Sequence, residues 1–456
     1  MIKHFFETAY INGKWQQDVL LSVTEAGVIS AIETESADKG AIQHGGYVVP
    51  GMPNLHSHAF QRAMAGLGEV AGLSDDSFWS WRSVMYDFLH HITPEDFEAI
   101  ADQLYLEMLK AGFTSVGEFH YLHHQAGGEP YSDRLEMSRR LASSAQKTGI
   151  HLTLLPVLYS YSGFGAQAPN AGQGRFVNQT DDFLTMVTDL KQLNWGDASV
   201  NVGVAPHSLR AISEDQLRAL TDIVTNDMPV HIHIAEQVKE VEDCIAWSGQ
   251  RPVDWLMSHT EVTERWCLVH ATHIIPAEIE AILKTGAIAG LCPVTEANLG
   301  DGLFPVSEFL SGGGTFGIGT DSNINISLAE ECRLLEYGQR LQRLKRTLVS
   351  NRGQSNGEKL FSEAVKGGQK ALRPGQVGAL QVGSPATFVR LDSDHPVLVG
   401  KNASHVLDGW IFAGGNDVVK DVYVNGKQVI EGGRHAQQEK IAARFKNVMT
   451  HLVGKL

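Results

Sequence analysis

Over the first fifty residues apolar and polar positions alternate in short stretches. Tyr10-Ile11-Asn12-Gly13-Lys14-Trp15 carries an Asn-Gly turn, and residues 20–32 alternate around Gly27. This is the period-two pattern of strands joined by tight turns. From about residue 93 the period lengthens. Amphipathic stretches of helical length begin at Thr93-Pro94-Glu95-Asp96, a cap with proline in the first turn, and at Ser213-Glu214-Asp215-Gln216, a capping box. Between the helices lie short, nearly continuous apolar runs at 114–121, 151–159, 199–207, 229–235, 266–270, 287–293 and 315–321. With the run that precedes His56 they make eight predicted strands. Strands apolar on both faces and separated by helices predict a parallel sheet covered on both sides. Eight such units predict an α/β fold of the (β/α)8 TIM-barrel type. The rival is an open doubly wound sheet, but no glycine-rich phosphate loop follows the first strand.

After helical stretches at 328–349 and 358–372, β character returns at 377–389 and 422–429, the latter with a second Asn-Gly. These segments resemble the N-terminal ones, so both chain ends are expected to build one small β-sandwich domain beside the barrel. The expected division is 1–50 and 374–434 for the β-sandwich, 51–373 for the barrel, and 435–456 for a terminal helix.

Composition narrows the partners. A chain of 456 residues, 43% hydrophobic, can bury a large core. Its formal net charge of -15 repels phosphates, so neither nucleic acid nor an anionic membrane is an expected partner. An anionic substrate therefore needs a local basic pocket. Cys244, Cys267, Cys292 and Cys332 are far apart and form no CxxC pair, which points to reduced thiols and a cytoplasmic setting. Residues 1–7 lack a secretory apolar core, and no stretch is apolar enough to span a bilayer.

The candidate chemistry begins where the run 48–55 ends in His56-Ser57-His58. Side chains alternate along a strand, so the two histidines point the same way. In a parallel barrel every strand's C-terminal end lies on one face. That geometry gathers His207, His233 with Glu236, His270 and Asp321 around the pair. His56, His58, His233 and Asp321 then form a set of three imidazoles and one carboxylate, suited to one Zn²⁺ or Fe²⁺ with a position left for water. An isolated strand histidine is more commonly a core residue, and His231, two positions before His233, keeps that reading. Glu236 would stand over the water and shuttle its proton. Its plainer alternative is the first-turn acid of the next helix.

These residues resemble the amidohydrolase superfamily, in its mononuclear deaminase branch. The resemblance rests on Pro53-Asn54-Leu55-His56-Ser57-His58, the His233 and Glu236 pair, Val269-His270, Gly319-Thr320-Asp321-Ser322 and Gly383-Ser384-Pro385-Ala386. Binuclear members place a carboxylated lysine at the end of the fourth strand, where this chain has Ala205-Pro206-His207-Ser208. The resemblance thus implies a single divalent ion, with His270 and Asp321 polarising the water and Glu236 moving its proton. Before the eighth strand the branch commonly reads Ser-Asn-x-x-Leu-Gly, whereas this chain reads Thr295-Glu296-Ala297-Asn298-Leu299-Gly300. With residues 58–63, 79–82 and 325–331, that segment looks like the formimidoylglutamate deiminases of histidine degradation. Members of that family convert N-formimidoyl-L-glutamate and water to N-formyl-L-glutamate and ammonia.

Membership implies that Arg82, Arg210 and Tyr121 bind the carboxylates of this dicarboxylate amidine, while Gln61 and His207 contact its formimidoyl end or linking amide. A homodimer is also implied. Without the resemblance, Arg82 reads as a helix-face charge and Arg210 as a loop charge. Two other functions are consistent with parts of the pattern. One is deamination of a purine, pterin or triazine ring, which calls for an aromatic pocket in place of the arginines. The other is a catalytically dead barrel serving as a scaffold, which has no need of a full ligand set together with Glu236.

Overall fold

The computed structural model describes residues 1–69, 78–373 and 380–455. The N-terminal strands are β1 (Ile2–Ile11), β2 (Lys14–Val23), β3 (Ile29–Glu33) and β4 (Ile42–Pro50). Asn12 and Gly13 turn β1 into β2 with φ of 49° and 77°. Two positive φ values in succession are what a tight hairpin demands, and Asn-Gly adopts them at low cost. The barrel strands follow as β5 (Met52–Ser57), β6 (Phe113–His120), β7 (His151–Leu158), β8 (Val200–Val202), β9 (Ala205–Pro206), β10 (Val230–Ile234), β11 (Trp266–His270), β12 (Ile288–Leu291) and β13 (Thr315–Ile318). Three more strands, β14 (Phe388–Leu391), β15 (Val419–Val424) and β16 (Lys427–Ile430), return to the first sheet.

That sheet runs in the order β16-β15-β14-β4-β1-β2-β3. β14 lies antiparallel to β4, pairing Phe388 with Pro50 and Val389 with Val49, so the two chain ends are hydrogen-bonded to each other. The architecture is a (β/α)8 barrel with a small β-sandwich domain built from both ends. The sandwich has its own core, in which Phe6, Val19, Leu21, Val48, Phe388 and Tyr423 cluster.

Inside that core His4 Nδ1 and His44 Nε2 lie 2.9 Å apart. Burial pushes both imidazoles down to about 4, with His4 adding to the effect on His44. Both are therefore neutral when folded and take up protons near 6.5 when unfolded. Their contribution to stability is fully present above pH 6.5 and is lost as pH falls towards 4. Thermal melts across that window should show the native chain losing on the order of 1–3 kcal/mol more than a His4→Phe/His44→Phe chain. Parallel curves for the two chains would remove the pair from the acid response.

In the barrel, β5 to β8 and β10 to β13 are parallel, with β9 paired to β7. The ring closes through bridges between Val204 and Val230 and between Ser57 and Asp321. At the second closure Asp321 N–H donates to His56 O at 2.9 Å, and His58 N–H donates to Asp321 O at 3.0 Å. Asn54 locks the same seam, donating from Nδ2 to Thr320 Oγ1 at 2.8 Å and accepting from Thr320 N–H at 3.1 Å. Only glycine fits at 319, because a Cβ there would lie 2.7 Å from His56 O.

Thr93 and Ser213 cap the helices Pro94–Lys110 and Glu214–Asp222, each through a capping box. The terminal helix Gln438–Val453 is tied to the first of these by Arg444, whose Nη1 lies 3.2 Å from Asp102 Oδ2. Several segments differ from the sequence reading. The run 199–207 is broken at Gly203, where a Cβ would lie 2.6 Å from Pro229 O. The run 287–293 stops at Leu291, and Pro293 opens a helix, Pro293–Leu299, suited to proline's fixed φ. Of the run 377–389, residues 377–379 and the division at 374 lie outside the described residues, and the strand begins only at Phe388. The helix Val406–Ala413 has no counterpart in the sequence reading. All four cysteines are free and buried. Among the described residues no helix is long and apolar enough to cross a membrane.

Candidate active site

The strand ends bring His56, His58, His233 and Asp321 together, with one potential ligand atom of each within 4.8 Å of the others. His56 Nε2 lies 3.2 Å from His58 Nε2 and 2.9 Å from His233 Nε2. Asp321 Oδ1 lies 3.5 Å from His56 Nε2 and 3.1 Å from His58 Nε2. Two of the three rings are oriented by carbonyls at their opposite edges. His58 Nδ1 faces Phe119 O at 3.0 Å, and His233 Nδ1 faces His207 O at 3.2 Å. A carbonyl only accepts, so both Nδ1 atoms carry the proton and both Nε2 atoms present bare lone pairs. Burial holds His56 down to about 3 and His233 well below the usual range, so these rings are neutral. Bare imidazole lone pairs and a carboxylate aimed at one point repel one another unless a cation sits among them. The donor set fits one divalent ion with nitrogen and oxygen ligands, and the backing carbonyls are what metal-binding histidines ordinarily have.

His231 lies outside this cluster, and its Nε2 donates to Ala371 O at 2.8 Å. Beside the cluster stands a row of acids around one imidazole. His270 Nε2 lies 3.7 Å from Glu236 Oε1 and 3.8 Å from Asp321 Oδ2, while its Nδ1 lies 3.3 Å from Glu296 Oε1. Burial opposes charge on His270, but the carboxylates of Glu236, Glu296 and Asp321 hold its affinity for a proton well above the ordinary range. Burial raises the Glu236 carboxyl, against the pull of His270. Glu236 precedes the helix Val238–Ser248, so it is not that helix's first-turn acid. Glu240 takes that part, accepting from Ala235 N–H and Glu236 N–H at 3.1 Å each. The turn is thereby fixed with Glu236 pointing into the cavity. His270 and Asp321 both have left-handed backbone, with φ of 67° and 44°. Non-glycine residues hold such angles at about 1–2 kcal/mol each, which the surrounding seam bonds offset.

A cavity opens on this row. Gln61, Arg82, Tyr121, His207 and Arg210 all line it, together with His58, His233, Glu236, His270 and Asp321. His56 lies behind the lining, fully buried. Gln61 Nε2 donates to Tyr121 Oη at 2.9 Å. The Arg82 guanidinium lies 5.5 Å from the centre of the Tyr86 ring, and Arg210 is buried, with Glu240 and Tyr159 among the groups that raise its pKa against burial. His207 is held well below its usual range by burial and then by Arg210, so it meets a ligand as a neutral ring.

Several residues the sequence reading leaves without a role also shape the site. Trp81, Tyr86, Tyr159 and Phe176 line the cavity with Tyr121, so it is both aromatic and basic. Glu118 Oε1 accepts from Ala59 N–H at 2.5 Å, and Tyr105 Oη reaches Glu118 Oε2 at 3.4 Å, which pins the turn after His58. Burial pushes the Glu118 carboxyl up to about 8. A lone acid inside the apolar run 114–121 is the signal that could have marked it. Glu296, visible in the sequence as a departure from the branch pattern, accepts from Cys292 N–H at 2.9 Å as well as facing His270.

A sequence model of the amidohydrolase family matches residues 47–429. The chain is 48% identical over 451 residues to a formimidoylglutamate deiminase of Pseudomonas aeruginosa, covering 98% of this chain and 99% of that one. It is 25% identical over 444 residues to a 5-methylthioadenosine/S-adenosylhomocysteine deaminase of Bacillus cereus, covering 94% of this chain and 93% of that one. Among solved structures, an amidohydrolase from Brucella melitensis superposes with a TM-score of 0.95 at 48% identity, over 99% of this chain and all of that one. A zinc-bound adenosine deaminase from Xanthomonas campestris shares the fold, with a TM-score of 0.82 at 20% identity over 99% and 98% of the two chains. The convergent imidazoles at the barrel's strand ends and the match along most of the chain lead to one assignment: this protein belongs to the amidohydrolase family.

Proposed function

We propose that the chain hydrolyses N-formimidoyl-L-glutamate to N-formyl-L-glutamate and ammonia, as a step of histidine degradation. The observation that carries this reading is one cavity lined by two arginines, Arg82 and Arg210, and by the acid and imidazole row of Glu236 and His270. A dicarboxylate substrate needs cationic donors in a chain of net charge -15. The 48% identical relative carries the name of that activity.

His56, His58, His233 and Asp321 would hold one divalent ion, zinc or iron, which supplies Lewis-acid activation of water at neutral pH. The amidine is cationic near neutrality, so its carbon is already electrophilic. Glu236 hydrogen-bonds the cationic nitrogen and orients the carbon. As the oxygen of water bonds to that carbon, Glu236 takes up the water's first proton, with His270 and Asp321 polarising the water, and delivers it to the departing nitrogen, while the remaining hydroxyl proton passes to the row of His270 and Asp321. The carbon–nitrogen bond breaks and ammonia leaves, and the oxygen stays as the formyl carbonyl. Arg82 and Arg210, with Tyr121, hold the two carboxylates, while Gln61 and neutral His207 contact the linking amide or the formimidoyl end. The same proposal takes the protein to be a cytoplasmic homodimer.

The aromatic lining favours a second reading, deamination of a ring substrate by the same machinery. Assays of ammonia release by the metal-replete protein separate the two. Release from N-formimidoyl-L-glutamate but not from guanine or S-adenosylhomocysteine supports the first, and the reverse sinks it. Arg210→Ala should raise KM for the linear substrate by about tenfold or more, with a smaller change in kcat, as expected for loss of a charge-assisted pair. An unchanged KM would take Arg210 out of carboxylate recognition.

A further inference from the structure

Asp301 is a buried acid beside the site that the mechanism above does not use. It follows the helix Pro293–Leu299 and is 4% exposed. One ligand atom each of Glu236, His270 and Asp301 lies within 4.8 Å of the other two. Gln237 Nε2 donates to Asp301 Oδ1, whereas Asp301 Oδ2 is buried with no hydrogen-bond partner. His270 is backed at Nδ1 by Glu296 Oε1 at 3.3 Å, the carboxylate support that metal-binding imidazoles commonly have.

We propose that Glu236, His270 and Asp301 form a second, weaker site for a divalent cation such as Zn²⁺, filled only when free metal is in excess, and that filling it inhibits the enzyme. The proposal rests on the reading of Glu236 as proton carrier. One imidazole and two carboxylates are a donor set zinc accepts. Glu236 and His270 line the cavity, so an ion can reach them from solvent. The two sites adjoin through one carboxylate, because Asp321 Oδ1 faces the first cluster and Oδ2 lies 3.8 Å from His270.

Three things make the second site the weaker one. It has three protein donors against four, it adjoins a site already carrying two positive charges, and a proton competes for Asp301. Burial and then the neighbouring Glu236 push that carboxyl up to about 9. A cation on Glu236 occupies the lone pair that would carry the proton, so turnover stops while the first ion stays in place.

Equilibrium dialysis of the one-ion holoenzyme against increasing ZnCl₂, with metal counted by mass spectrometry and ammonia release measured in parallel, tests this. A second equivalent should bind as activity falls, by about tenfold or more at saturation. Asp301→Asn should retain one ion and need about tenfold or more additional zinc for half-inhibition. If that variant does not fold or loses its first ion, ¹¹³Cd NMR of the unaltered holoenzyme decides, with a second resonance expected from a nitrogen and oxygen ligand set. No second equivalent, or a second equivalent with the same midpoint in Asp301→Asn, overturns the inference. So does the absence of a second cadmium resonance. Absence of any first ion, or of ammonia release from N-formimidoyl-L-glutamate, is instead the failure of the functional reading.

Discussion

The Glu236→Gln chain is expected to release ammonia about a thousandfold more slowly than the native chain while holding its ion as tightly, since positioned acid–base groups contribute on that order. Gln keeps the shape and one hydrogen-bond acceptor but cannot carry a proton. Glu236 lies outside the four-residue ligand cluster, and its Oε1 lies 3.7 Å from His270 Nε2. Its turn is fixed by Glu240 through backbone N–H groups, so the substitution leaves the loop anchored. kcat and metal content measured on the same preparation check the idea. Loss of the ion would make Glu236 a ligand, and retained turnover would move proton transfer to another group.

The second large effect is expected at His56. Its Nε2 is the most connected of the cluster, facing His58, His233 and Asp321 at 3.2, 2.9 and 3.5 Å. His56→Ala should leave the chain without bound metal and reduce ammonia release to the metal-free background. Stability should fall as well, because a ligand that binds only the folded state contributes about 4 kcal/mol when present at a thousand times its dissociation constant. Chelation of the native chain should reproduce both losses, and added zinc should restore the native chain but not the variant. A His56→Ala chain that still takes up one tight equivalent would overturn the ligand assignment.

Much of this arrangement is legible in the sequence, for a definite reason. Barrel strands are apolar on both faces, so a polar side chain at a run's C-terminal end stands out, and parallel running then collects such ends on one face. Depth along the strand also distinguishes His233 from His231, since the two share a face but His231 lies one repeat of the pleat below the strand end. What the sequence does not disclose are partnerships decided by approach in space. Glu118 meets Ala59 across two strands, and Glu296 meets His270 from the helix Pro293–Leu299, which the sequence reading leaves unassigned. Asp301 sits after a Gly in a polar stretch, where its burial has no sequence signal. The break at Gly203 depends on Pro229 of the next strand, which periodicity along one run cannot show.

The seam between β5 and β13 joins residues from opposite ends of the barrel, as in the Asn54 to Thr320 bond across 266 positions. No fragment and no chain still lacking its eighth strand has Asp321 beside His56 and His58. A growing chain therefore passes through most of its synthesis unable to complete the site, and metal capture becomes a check that the ring has shut. An ion taken up at that point would report correct assembly, and amide protons along Asn54 to His58 and at Thr320 and Asp321 would exchange more slowly from then on.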